Sequence, residues 1–369
     1  MKIIHTADLH LDSVMKKNLD KDRAAKRKSE LLETFARMVD YGASQGVSAV
    51  IIAGDMFDRP VSKVTKTAKN MVMDTILKNP DISFYYLKGN HDEGDLSLEF
   101  EKLPDNLYFF DESWKEYRIG RRVMLYGAEL SGENNSVLFN SLLTDPSDIN
   151  IVTLHGMATR FGNEGDRDAI SLSDLKNKSI DYLALGHIHG YSREELDGRG
   201  VYCYCGCPEP RGFDEPGQHG FVMLNINEET GVVTDTFVPF ASRNAYICHC
   251  DVTGASTTAE AVDIIKEEFE NQGYGDGDMV ELYLEGYIDA GTEIDEVYIR
   301  NHFEPDFFAF KCKNLTKVKI DYDAFELDPT LKGEFVGLVS EASDIDEDEK
   351  GRIISLGISL LQNPAALKE

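Results

Sequence analysis

The chain has 369 residues, 42% of them hydrophobic and 28% charged, an ordinary globular balance that excludes a wholly disordered or fibrous protein. Its length predicts two or three domains and a sizeable core. No run of about 18 apolar residues occurs, so no membrane-spanning helix is expected. The opening MKIIHTADLH has neither an apolar signal core nor a small-residue cleavage site, which predicts a cytoplasmic protein.

In chain order, KIIHTAD is a short apolar run with a polar end. KSELLETFARMVDYGASQG has helical spacing, with Leu32, Phe35, Met38 and Val39 on one stripe and Gly46 as a stop. VSAVIIAGD reads as a buried strand, VTKTAKNMVMDTILKN as a helix closed by Pro80, and DISFYYLKGNHD as a third strand. That alternation predicts a layered α/β domain. LYFFDE, RRVMLYGAEL, INIVTLHGM, DYLALGHIH, GVYCYCG and HGFVMLNIN read as further strands, giving two sheets with flanking helices over residues 1–240. Residues 241–325 alternate strand and helix as a small α+β domain, and residues 326–369 read as two amphipathic helices around the acidic link SDIDEDEK, with Ser343 placed to start the second. The apolar positions of this tail, among them Leu331, Phe335, Leu338, Ile353, Ile354 and Leu361, suit either the protein's own core or a docked partner.

Net charge is −28, of which the stretch from Ala241 onward, with 28 acidic and 11 basic residues, carries −17. That balance argues against a broad, non-specific grip on nucleic acid, which needs Lys and Arg to neutralise phosphates. The six cysteines alternate in YCYCGC and CHC, so within a strand each set shares a face. They read as reduced strand cysteines; the rival, a thiolate metal site, lacks the usual Cys-x-x-Cys spacing.

Five strand ends carry polar residues of one chemical kind: Asp8 and His10, Asp55 and Asp58, Asn90 with His91 and Asp92, His155, then His187 and His189. In layered α/β proteins ligands gather at the carboxyl ends of strands, so these sites can converge. Five of the nine histidines fall here, and His5, by strand parity, points away as a core or supporting residue. Carboxylates, an amide oxygen and imidazoles suit Mn, Fe or Zn more than Ca. The groups are too many for one tetrahedral ion and suit two ions sharing a carboxylate, a recurring device for cleaving phosphate esters.

The ordered set D-x-H, GD-x-x-D, GNHD, a lone His-Gly and G-H-x-H resembles the calcineurin-like metallophosphoesterase superfamily. The resemblance implies a four-layer α-β-β-α sandwich and two divalent metal ions, most commonly Mn, with Fe or Zn as alternatives. It implies that Asp8, His10, Asp55 and His189 hold one ion, and that Asp55, Asn90, His155 and His187 hold the other. His91 would then protonate the leaving oxygen, oriented by Asp92. The opening MKIIHTADLHLDS, with GDMFDRP and GCPEPRGFDEPGQHGF, is similar to SbcD-type DNA repair exonucleases, in particular their Firmicute relatives of the YhaO kind. Asp58 departs from the histidine that archaeal and eukaryotic members often carry there, so no role for that histidine transfers. The likeness is close over residues 1–240 and extends to the remainder only in layout. There the small domain caps DNA and the tail docks on an SMC-like coiled-coil ATPase, commonly in a homodimer. The expected function is a metal-dependent DNA nuclease, the alternatives being a small-molecule phosphodiesterase or phosphatase and a metal-binding scaffold subunit. Candidate phosphate contacts are Arg59, Arg211, Lys26 and Arg27, the last two within the basic stretch from Lys16 to Lys28, which equally suits a solvated helix face.

Overall fold

Apolar runs without alternation make strands buried on both faces. In the computed structural model, which describes residues 1–15, 19–94, 96–100, 102–132, 135–161, 166–290, 292–320 and 322–362, such runs form the middle of two sheets. The chain divides into two units, Met1–Asn244 and Ala245–Glu369. The first comprises β1 (Lys2–Thr6), α1 (Lys21–Ser44), β2 (Ala49–Ala53), α2 (Lys66–Lys78), β3 (Ser83–Leu87), β4 (Leu107–Phe109), β5 (Lys115–Arg118), β6 (Val123–Gly127), α3 (Asn135–Ser141) and β7 (Ile149–His155). It continues through β8 (Met157–Thr159), β9 (Ala169–Ser171), α4 (Leu172–Leu175), β10 (Tyr182–Gly186), β11 (Ser192–Glu195), β12 (Val201–Tyr204), β13 (Gly220–Asn227) and β14 (Val232–Pro239).

One six-stranded sheet has the order β14-β13-β1-β2-β3-β4, the other β11-β12-β10-β7-β6-β5. Strands β1 to β4 are mutually parallel, as are β6, β7, β10 and β12. All the parallel strands therefore deliver their carboxyl ends, and the loops that follow, to one edge of their sheet. Antiparallel β5, β11 and β14 form three of the four sheet borders, and parallel β4 forms the other. The sequence reading names none of the three antiparallel ones, because β5 and β11 are rich in charged residues and β14 alternates without a continuous apolar run.

Alternation along each strand sorts side chains into three cores. Ile3, Ile51, Leu125, Ile151, Tyr182 and Leu224 fill the space between the sheets. On the outer face of the first sheet, Ile4, Val50 and Phe84 meet Phe35 and Met38 of α1 and Val72 and Ile76 of α2. On the outer face of the second, Val152, Leu183 and Leu185 meet Phe139 and Leu142 near α3 and Leu175 of α4. The result is the four-layer α-β-β-α sandwich expected above. His5 lies in the central core, its Nδ1 2.9 Å from the Tyr182 hydroxyl, and burial lowers its pKa to about 3, so it is a neutral core residue.

The second unit comprises β15 (Ala245–Asp251), α5 (Thr258–Gln272), β16 (Met279–Glu285), β17 (Tyr287–Asp289), α6 (Glu296–Phe303), β18 (Ala309–Asn314), β19 (Lys317–Lys319), α7 (Tyr322–Glu326), α8 (Leu331–Ser340) and α9 (Glu347–Gln362). Its three-stranded parallel sheet, β15-β16-β18, buries Cys248, Leu282, Phe310 and Cys312 against Val262 and Ile265 of α5 and Ile299 of α6. Helices α8 and α9 bury Val336, Ile354 and Ile358 together, beside Ile320 and Tyr322 of the same unit, and leave Leu331, Leu338 and Leu361 exposed. Asp346, rather than Ser343, caps α9, accepting the Glu349 N–H at 2.8 Å. All six cysteines are reduced and buried. Among the described residues no helix is long and apolar enough to cross a membrane.

Candidate metal centre

The carboxyl end of β7 and the loops leaving β1, β2, β3 and β10 carry every residue singled out at a strand end. The β1 and β2 loops are stitched together: Asp8 donates its N–H to the Gly54 carbonyl and His10 to that of Asp55, both at 3.0 Å. The β3 loop is held by the His91 N–H, which donates to Asp55 Oδ1 at 2.9 Å. Close approach requires bare backbone at two motif glycines. A Cβ on Gly54, which has φ +96°, would sit 2.1 Å from His155 Nδ1, and one on Gly186 would sit 2.8 Å from the same atom. Gly190, by contrast, faces open space. Asp8, His10, Asp55 and His187 all have positive φ, between +44° and +99°. Side-chain-bearing residues rarely adopt that conformation, and such strain clusters where surrounding structure over-determines a functional geometry.

The side chains converge. His10 Nε2 and His189 Nε2 lie 3.1 Å apart, and His189 Nε2 is 4.0 Å from Asp8 Oδ1. Asp55 Oδ2 lies 3.9 Å from His10 Nε2 and 3.4 Å from His155 Nε2. Asn90 Oδ1 is 3.0 Å from His155 Nε2 and 3.2 Å from His187 Nδ1. The sets Asp8, His10, His189 and Asp8, Asp55, His155 each bring one ligand atom per residue within 4.8 Å of the others.

Electrostatics reinforce the geometry. Burial alone would raise the Asp55 pKa, yet its contacts with His155 and His10 lower it to about 2. His155 is raised to about 9: burial opposes its protonation, but the neighbouring Asp55 and Asp8 carboxylates outweigh burial. Among the described residues neither Asp8 nor Asp55 has a Lys or Arg ion-pair partner, although both are buried. Buried carboxylates need compensating positive charge. A donor set of oxygen and imidazole nitrogen around two such carboxylates fits divalent cations.

His91 stands beside this cluster with 44% of its side chain exposed, its ring 5.1 Å from that of His10. Asp92 corrects the expectation that it orients His91. Its buried carboxylate accepts the N–H groups of Met56 at 2.9 Å, Phe57 at 2.8 Å and Gly89 at 3.3 Å, so it pins the β2 loop. The carboxylate beside the His91 ring is Asp58, at 4.0 Å.

One of the four expected phosphate contacts is also corrected, and two others are engaged within the protein. Arg27 is fully buried, paired with Glu30 at 2.6 Å and Glu209 at 2.9 Å, because it faces inward from α1. Arg59 donates to the Asp12 carbonyl at 2.9 Å. Arg211 donates to Asp58 at 2.9 Å and to Glu215 at 2.9 and 3.1 Å. Lys26 is exposed on α1. Within the same basic stretch Lys28 pairs with Asp12, while Lys16 and Lys17 lie outside the described residues.

The sequence reading misses Glu215, whose Oε1 lies 2.6 Å from His189 Nδ1. Burial would raise its pKa, but His189 and Arg211 hold it well below the usual carboxylate range. The only signal is its place in GCPEPRGFDEPGQHGF, a stretch whose resemblance assigns no role to single residues.

Sandwich, strand-end loops and ligand cluster together define a phosphoesterase built around a metal centre. The chain belongs to the calcineurin-like phosphoesterase family, whose pattern matches residues 1–191. The metallophosphoesterases of this family use a dinuclear metal centre. An uncharacterized metallophosphoesterase, YhaO of Bacillus subtilis, is 28% identical over 94% of this chain and 89% of its own length. DNA double-strand break repair protein Mre11 of Sulfolobus acidocaldarius is 25% identical over 95% of this chain and 96% of its own. Mre11 of Methanopyrus kandleri is 27% identical over 64% and 56%.

Proposed function

We propose that this chain is a metal-dependent DNA nuclease that hydrolyses phosphodiesters in DNA repair or processing. Asp8, His10, Asp55 and His189 hold one divalent ion, and Asp55, Asn90, His155 and His187 hold the other. The observation that carries this reading is Asp55 Oδ2, which lies within 3.9 Å of the ring nitrogens of both His10 and His155, between the two ligand sets. Paired ions, when bound, supply Lewis acidity to the phosphoryl oxygens and activate a water. The chain's own part is to place and protonate. Asp55 Oδ1, by accepting the His91 N–H, sets the height of the β3 loop, and the exposed His91 ring is available to donate a proton to the leaving oxygen. Mn is the proposed metal, with Fe or Zn as alternatives.

The DNA assignment is supported by the Mre11 relative that spans nearly the whole chain. An SMC-like coiled-coil ATPase partner and a homodimer belong to the same proposal. Exposed Leu331, Leu338 and Leu356 on α8 and α9 are apolar surface that such a partner would cover.

One observation favours a smaller phosphodiester instead. The cleft beside Asn90 and His155 is lined by Glu93, Glu112, Glu129 and Asp168 against Lys88 and Arg167, and an acidic lining repels a polyanion more than a small substrate. The deciding experiment is a gel assay of end-labelled duplex and single-stranded DNA, with protein stripped and reloaded with Mn. Cutting is expected, and His91→Ala should slow it about 10²–10⁴-fold without loss of bound metal. Intact DNA beside rapid hydrolysis of bis-p-nitrophenyl phosphate would assign the smaller substrate.

A further inference from the structure

The two ligand sets are backed differently. His10 and His189, whose Nε2 atoms meet, each have a carboxylate on the Nδ1 side: Asp58 Oδ1 at an ion-pair distance of 3.2 Å and Glu215 Oε1 in a hydrogen bond of 2.6 Å. Arg211 ties these carboxylates together, from Nη1 to Asp58 at 2.9 Å and from Nη2 to Glu215 at 2.9 Å. Its own N–H donates to Glu215 Oε2 at 2.6 Å. Asp58 also accepts the Ser13 hydroxyl at 3.0 Å, and His219 Nε2 lies 2.9 Å from the Glu215 carbonyl, so both ends of the brace are fastened. The brace joins the β2 loop to the segment after β12, two stretches far apart in sequence. Among the described residues nothing of this kind backs the other set. His155 Nδ1 faces the Ala53 carbonyl at 2.9 Å, a neutral acceptor. Among the described residues His187 has no carboxylate within ion-pair distance.

A carboxylate behind a ligating imidazole fixes the tautomer, aims the ring and makes the inner nitrogen a better donor; losing it costs about 10–100-fold in metal affinity. A backbone carbonyl fixes the tautomer without adding charge. We infer that Asp58, Arg211 and Glu215 are positioning residues for one metal position alone, the one served by His10 and His189, and make it the tighter of the two. The inference rests on the ligand assignment proposed above.

The test is metal binding by the full chain, not turnover. Chelator-stripped protein is titrated with Mn by calorimetry, and the loaded protein is examined by electron paramagnetic resonance. Wild type should take two ions of unequal affinity and show a spin-coupled pair. Glu215→Gln should weaken one ion about 10–100-fold and leave the other unchanged. At limiting Mn its spectrum should become that of an isolated ion. Asp58→Asn, on a different loop, should do the same, which guards against a folding defect in either variant, as do unaltered circular dichroism spectra of the metal-free proteins. Adding Asn90→Ala to Glu215→Gln should abolish the surviving ion, whereas adding His10→Ala should not. Equal weakening of both ions, or no weakening, with a wild type that binds two would overturn the inference alone. A wild type that binds fewer than two would overturn the ligand assignment and this inference with it.

Discussion

Arg27 offers a sharp discrimination between a substrate contact and a structural ion. Its side chain is 0% exposed and donates to Glu30 at 2.6 Å, Glu209 at 2.9 Å and the Pro210 carbonyl at 2.6 Å. Arg27→Met keeps most of the volume and removes the charge. Removing one partner of a buried pair leaves an uncompensated charge, at a cost of about 3–5 kcal/mol. Glu30 retains Arg243, and Glu209 retains the Thr34 hydroxyl at 2.6 Å and the Ser242 N–H at 2.5 Å, which favours the lower limit. In a unit of this size about 3 kcal/mol lowers Tm by roughly 6–12 °C. Calorimetric melting in the presence of chelator reads this directly. The salt dependence of DNA binding should be unchanged, since no phosphate contact is lost. A Tm within about 2 °C of wild type, together with a salt slope reduced by about one, would refute the reasoning and return Arg27 to the substrate.

Asp92→Ala should orphan the buried Met56 and Phe57 amides at about 1–3 kcal/mol each; faster hydrogen exchange at those two positions is the check, and unchanged protection refutes it. Chelation should lower Tm, because buried Asp8 and Asp55 lose their counter-charge, and Mn at about 100 times its Kd should restore about 2.7 kcal/mol; identical melts with and without metal would contradict the site. Burial would raise the Glu30 pKa, but Arg243 and Arg27 hold it below the usual value of 4.5. A carboxyl depressed on folding stabilises above its unfolded pKa, and that stability drains as pH falls through the folded value. The Tm gap between wild type and Glu30→Gln should therefore be full near neutral pH and shrink in acid below pH 4.5; a constant gap would show that the charge contributes nothing.

Strands and the polar residues that converge at their ends were legible for related reasons. Buried parallel strands read as unbroken apolar runs, and each metal-type residue follows such a run within a few positions, so Asp8, Asp55, Asn90, His155 and His187 announce themselves locally. Asp92 shows the limit. It adjoins His91 in sequence, yet its carboxylate turns inward to backbone amides of the β2 loop, a choice made by where that loop lies and not by its neighbour. Arg27 sits in a basic stretch that looks solvated, and its inward orientation depends on Glu209, far along the chain.

What the sequence determined by itself is therefore the layering of the first unit and the inventory of metal-type side chains at its strand ends, because both follow from periodicity and short-range spacing. Tertiary structure alone decided the contacts around that cluster: Glu215 behind His189, Asp58 behind His10 and Arg211 between them. A carboxylate and an arginine are ordinary surface residues wherever they occur in a sequence. They become parts of one bonded cluster only when folding brings the β2 loop and the segment after β12 within reach of each other.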